Sequence, residues 1–110
     1  MQQRVLVEHE SLKDLKDRLI QSFGQDVELT LFGSAARNES RPGSDIDVLV
    51  LLPYQPDTAT EERIFDIAYD VELQHGVVFG VIIYSKDFWA SDRARVMPLH
   101  KHIMLEGVGV

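Results

Sequence analysis

Residues 27–52 read VELTLFGSAARNESRPGSDIDVLVLL. The opening six, VELTLF, alternate at a period of two, the signature of a strand with one buried face. The closing IDVLVLL, residues 46–52, is nearly continuous in apolar side chains, which suits a central strand buried on both faces. Between them the chain is small, charged and turn-rich. AARNE can begin as a short helix, and Arg41-Pro42-Gly43 must be loop. Pro53 ends the second strand, because proline cannot donate to a ladder.

Working outward, residues 11–23 (SLKDLKDRLIQSF) place Leu12, Leu15, Leu19, Ile20 and Phe23 at helical spacing. Ser11 can cap that helix, with Asp14 three residues on as a short-armed capping box. Gly24 stands where a helix-terminating glycine belongs. On the other side, residues 53–60 connect to a helix over 61–75, with Ile64, Ile67, Ala68 and Val71 on one face and Gly76 as its stop. VVFGVIIY, residues 77–84, is a third buried strand, and Ser85 can cap a helix opening Lys86-Asp87-Phe88-Trp89. PLHKHIMLEG reads as a last helix closed by Gly107, and Val108 to Val110 can add a short edge strand. The expected architecture is one α/β (α+β) domain over residues 1–110, a small sheet backed by helices.

The chemistry gathers around the same two strands. Asp45 and Asp47 are two residues apart at a strand mouth, a spacing that directs both carboxylates to one face. Two such acids repel unless a cation stands between them, and Mg²⁺ commonly takes one or two carboxylates plus substrate phosphates. Gly33-Ser34 closes the preceding strand. Glycine lets backbone approach a ligand, a helix start aims N–H groups at an anion, and the serine hydroxyl can donate to a phosphate oxygen. A Gly-Ser after a strand is ordinarily a turn, and an Asp-x-Asp is often a solvated strand end. The joint spacing, Gly-Ser, ten residues, then Asp-x-Asp, is a far narrower pattern.

Composition narrows the partners. Eleven Lys+Arg against eighteen Asp+Glu give a net charge of −7, which argues against broad nucleic-acid binding and suits a basic protein partner. There are no cysteines, so a disulfide scaffold or a thiolate zinc site is excluded. MQQRVLVEHE lacks a signal-peptide apolar core, and no apolar run approaches the ~20 residues of a membrane span, so a cytoplasmic protein is the expectation. At 110 residues the core is modest, and a partner or a second copy (a homo-oligomer) could help stabilise it. His100 and His102 are two apart on a helix and diverge, unlike zinc histidines at i,i+4. His75 suits a helix C-terminus, Phe88 and Trp89 suit packing on the sheet, and Arg93 to Arg95 suit a solvated face.

GSAARNESRPGSDIDVLV resembles the signature of minimal nucleotidyltransferases of the DNA polymerase β-like superfamily. The resemblance matches Gly33 and Ser34 to the phosphate-binding pair, and Asp45 and Asp47 to the first two metal-binding, catalytic carboxylates. Ser44 matches the residue before them. Arg37 falls where family members often have arginine; a phosphate contact and a solvated helix arginine both stay open for it. What the resemblance implies is the polymerase β-like fold, ATP as nucleotide substrate, two Mg²⁺ ions, and transfer of AMP to a hydroxyl acceptor. It also implies a HEPN-domain partner in a toxin–antitoxin pair. Active relatives carry a third carboxylate on the next strand. Here that strand is VVFGVIIY, and the equivalent position is Val78 or Gly80. A second expectation follows, an antitoxin or regulatory module that binds its partner without transferring a nucleotide.

Overall fold

In a computed structural model, residues 2–37, 39 and 45–110 are described, with side chains from residue 7 onward. Helix α1 runs Gln2–Phe23, strand β1 Glu28–Phe32, strand β2 Ile46–Leu52 and helix α2 Thr58–His75. Strand β3 (Phe79–Ser85) leads into three short helices, α3 (Lys86–Trp89), α4 (Asp92–Arg95) and α5 (Pro98–Glu106), and β4 (Val108–Gly109) follows. The sheet order is β3-β2-β1-β4. β1 pairs antiparallel with β2 and with β4, whereas β2 and β3 are parallel, joined by the α2 crossover. It is the mixed sheet backed by helices that the sequence leads one to expect.

β2 lies inside the sheet because its residues have nowhere else to go. Ile46, Val48, Val50 and Leu52 are fully buried on the side where Leu12, Leu15 and Leu19 of α1 and Ile64, Ala68 and Val71 of α2 close the main core. Leu49 faces the other way, into a smaller cluster with Phe32, Trp89 and Ile103. Helix α2 starts earlier than its apolar periodicity suggests. The Asp57 carboxylate accepts from the Thr60 N–H at 2.8 Å, a cap that also draws the Asp57 pKa below its usual range. Gly76 ends the helix in the left-handed region, φ 68°, a conformation that costs other residues about 1–2 kcal/mol.

Several expectations need correction. Ser11 caps nothing: α1 begins nine residues earlier, and the buried Ser11 hydroxyl donates to the Glu8 carbonyl at 2.8 Å. No glycine or proline precedes Ser11 in this helix, so nothing breaks it there. Asp14 instead accepts from Arg18 at 3.0 Å and meets His75 Nε2 at 2.9 Å, bracing α1 against the end of α2. Burial opposes ionisation of Asp14, but these partners prevail and its pKa is lowered. AARNE forms a turn over Ser34–Arg37, with the Arg37 N–H on the Ser34 carbonyl at 3.1 Å, and Asn38 lies outside the described residues. β3 is an edge strand and mostly half-buried. The single-turn helix α4, capped by Ser91 on Ala94 N–H at 3.3 Å, had no periodicity to reveal it.

The other signals stand. Ser85 accepts from the Phe88 N–H at 3.0 Å, capping α3. Trp89 is buried and stacks on Tyr84, with ring centroids 5.7 Å apart. Arg93 and Arg95 are exposed. The edge strand β4 is extended by the Val110 N–H on the Leu29 carbonyl at 3.0 Å, and Lys16 of α1 donates to the Val110 carbonyl. No described helix is long and apolar enough to cross a membrane.

Candidate nucleotide and metal site

Strand register sets the site. Phe32 of β1 stands opposite Asp47 of β2, and Asp47 stands opposite Gly80 of β3. One row across the sheet thus carries Phe32, Asp47 and Gly80. Gly33, immediately after Phe32, turns the chain out of β1 with φ 75°. The Asp47 carboxylate lies between the two glycines. A Cβ on Gly33 would collide with Asp47 Oδ2, and one on Gly80 would stand 2.7 Å from Oδ1. Glycine is therefore required at Gly33 twice, by its backbone angle and by the acid beside it. The two strands are neighbours, so the Gly-Ser turn and the acid pair converge at one end of the sheet.

Asp45 is exposed, one residue before β2, and Asp47 is half-buried. Burial raises the Asp47 pKa, and the negative charge of Asp45 raises it further. Among the described residues neither acid has an ion-pair or hydrogen-bond partner. Such a pair of hard oxygen donors, two residues apart and without a bonded cation among the described residues, fits a divalent ion such as Mg²⁺ with phosphate oxygens completing its shell. Ser34 lies in the turn following Gly33, and its carbonyl accepts from the N–H groups of Arg37 and Glu39. Ser44 lies outside the described residues.

Arg37 is placed among carboxylates. Its Nε donates to Glu39 at 3.1 Å and its Nη1 to Glu106 of α5 at 2.9 Å. The bond to Glu106, then that to Glu39, hold its pKa above the ordinary arginine value. His102 also meets Glu106, at 3.1 Å, so α5 is tied to the Gly-Ser turn through this carboxylate. The sequence held no signal for that tie, since the residues are far apart in the chain.

The two positions expected for a third acid, Val78 and Gly80, differ in their relation to Asp47. Gly80 is the residue in register with Asp47, whereas Val78 precedes β3 and gives its carbonyl to the Ile46 N–H at 2.8 Å. Glu72 does not replace the missing acid. It sits on α2, and its Oε2 accepts from the Phe79 N–H at 2.7 Å. Asp87 follows β3 at the end away from Asp47. Among the described residues no three metal-ligating side chains gather at one point. His100 is occupied elsewhere, its Nε2 3.1 Å from the Trp89 carbonyl.

The family profile described as "Nucleotidyltransferase domain" matches residues 12–103. The chain belongs to the nucleotidyltransferase domain family. It is 36% identical over 80 residues to a Methanocaldococcus jannaschii protein named "Putative protein adenylyltransferase", covering 73% of this chain and 71% of the relative. The fold is similar to a solved structure described as "Crystal structure of the toxin-antitoxin with AMP-PNP". There the TM-score is 0.57 at 17% identity, over 86% of this chain and 68% of the other. The nucleotidyltransferase match spans the Gly-Ser turn, the acid pair and Gly80 together.

Proposed function

We propose that this nucleotidyltransferase domain binds ATP with Mg²⁺ at Gly33, Ser34, Asp45 and Asp47, and transfers AMP to a hydroxyl of a HEPN-type partner protein. The observation that carries this reading is the Asp47 carboxylate lodged between Gly33 and Gly80, beside Asp45. Gly33 makes room for the Asp47 carboxylate and turns the backbone toward a phosphate, to which the Ser34 hydroxyl donates. Asp45 and Asp47 hold the cation, which when bound neutralises phosphate charge and stabilises departing pyrophosphate. In the transfer, the acceptor oxygen forms a bond to the α-phosphorus while the bond to pyrophosphate breaks, and the hydroxyl proton passes to water. Glu39 and Glu106 take the Arg37 Nε and one Nη1 hydrogen, which leaves its Nη2 hydrogens for a phosphate. The relative named as a protein adenylyltransferase supports AMP as the group and a protein as acceptor. The toxin–antitoxin neighbour with its ATP analogue is in keeping with both nucleotide and partner.

Gly80 favours a second reading, an antitoxin module that binds ATP and its partner without turnover. With no carboxylate at that position, nothing on β3 receives the proton or completes the metal shell. Incubation with labelled ATP, Mg²⁺ and a HEPN-type partner separates the two. Label on the partner supports transfer; a tight unlabelled complex supports the module. The site itself is tested by Asp45→Asn with Asp47→Asn, which should abolish Mg²⁺-dependent ATP binding in a folded chain. Unchanged ATP affinity by calorimetry would sink the assignment.

A further inference from the structure

Helix α2 has a second face that the core does not use. Ile64, Ala68 and Val71 are buried against the sheet, yet Phe65, Tyr69 and Leu73 stand 48%, 57% and 65% exposed. Their i, i+4, i+8 spacing lines them along one side of the helix. Scattered exposed apolar residues are ordinary, but three large ones in a row on a helix held rigid by its buried face form a patch. Glu62, Asp66 and Asp70 flank the row, all exposed. Among the described residues none of these carboxylates has a side-chain partner. Arg63, the one Lys or Arg in α2, donates to Ser22 of α1 at 3.5 Å. Three carboxylates beside this single arginine leave the rim of the stripe negative.

We propose that this stripe is the docking surface for an amphipathic helix of a different protein. The apolar residues of that helix pack on Phe65, Tyr69 and Leu73, and its lysines or arginines face Glu62, Asp66 and Asp70. Helix-on-helix recognition reads such i and i+4 anchors, and tyrosine is favoured at the energetic centre of interfaces. A second copy of this chain is the wrong occupant. Pairing two α2 faces would press acid rim against acid rim in a molecule of net charge −7. The inference rests on the partner reading above only for the existence of a partner. The stripe belongs to the helix that covers one side of the sheet, whereas Asp47 shares the other side with Leu49. A docked partner therefore leaves the acid pair open.

Isotope-labelled chain titrated with a helical lysine–leucine peptide tests this, beside a lysine–serine peptide of equal charge as control. The lysine–leucine peptide should shift amides between Glu62 and Leu73. Its affinity should fall at least about tenfold in Phe65→Ser/Tyr69→Ser/Leu73→Ser, and similarly when the control peptide is used. Glu62→Gln/Asp66→Asn/Asp70→Asn, which leaves the stripe intact, should weaken binding and flatten its salt dependence. Equal binding by both peptides, or undiminished binding by both variants, overturns the proposal. So does a sedimenting dimer of the native chain that the serine variant loses, because the stripe would then belong to a second copy. ATP calorimetry keeps the two sites distinguishable. The serine variant should bind ATP as the native chain does, and Asp45→Asn/Asp47→Asn should bind the lysine–leucine peptide unchanged.

Discussion

The two faces of β2 are built for opposite purposes. On one, Ile46, Val48, Val50 and Leu52 are sealed under α1 and α2. On the other, the same strand carries Asp47 between two glycines before Leu49 returns to a small apolar cluster. A strand with one sealed face can tolerate an acid on the other, because the helices already hold its register. Shifting β2 by one residue would drive Asp47 into the main core, so the acid also enforces the pairing that positions it. Stability resides on one side and chemistry on the other, and each can be perturbed separately.

Ile64→Ala should have the largest effect, about 2–5 kcal/mol lost in denaturant unfolding, because it empties a fully buried site under β2. The folded fraction should retain its ATP affinity; if affinity falls too, the faces are not independent. Gly33→Ala should cost about 1–3 kcal/mol and reduce ATP affinity, since it strains the turn and displaces Asp47. Gly76→Ala is its control. The angle is similarly left-handed but the space around it is empty, so about 1–2 kcal/mol should be lost with no change in ATP binding. Equal effects on ATP from both glycines would refute the cradle. Asp57→Ala should remove the α2 cap and lower Tm by less than either glycine variant, again without touching the site.

The smallest effect is the most diagnostic of sign. The folded state raises the Asp47 pKa, so it binds the proton more tightly than the unfolded chain does. This contribution favours folding below the ordinary aspartate range and is lost as pH rises through the raised value. Asp47→Asn should remove that step and slightly raise Tm at neutral pH, compared across an acid-to-neutral melting series. A lowered Tm there would mean that Asp47 serves packing as well as chemistry.

Much of this was legible in local sequence. β2 read correctly to the residue because a run that is apolar except for Asp47 ends at Pro53, and Gly76 and Ser85 act through neighbours within one turn. The Gly-Ser and Asp-x-Asp pairs were visible as a spacing. What stayed hidden depends on distant contacts. The burial of Ser11, the Arg37–Glu106 tie and the edge position of β3 are all set by tertiary packing. The register that sets Gly80 beside Asp47 was hidden too, since a parallel partner joined through a helix leaves no local mark of its alignment.

The hydrogen bond from Phe79 to Glu72 has a consequence for solubility. β3 is an outer strand of the sheet, and β2 does not take the Phe79 N–H. An open strand border invites a foreign strand to add on, the first step of many aggregates. The Glu72 carboxylate occupies one of those docking points and sets a negative charge beside it. Together with the two-residue length of β4 at the opposite border, it guards the molecule against growth in either direction.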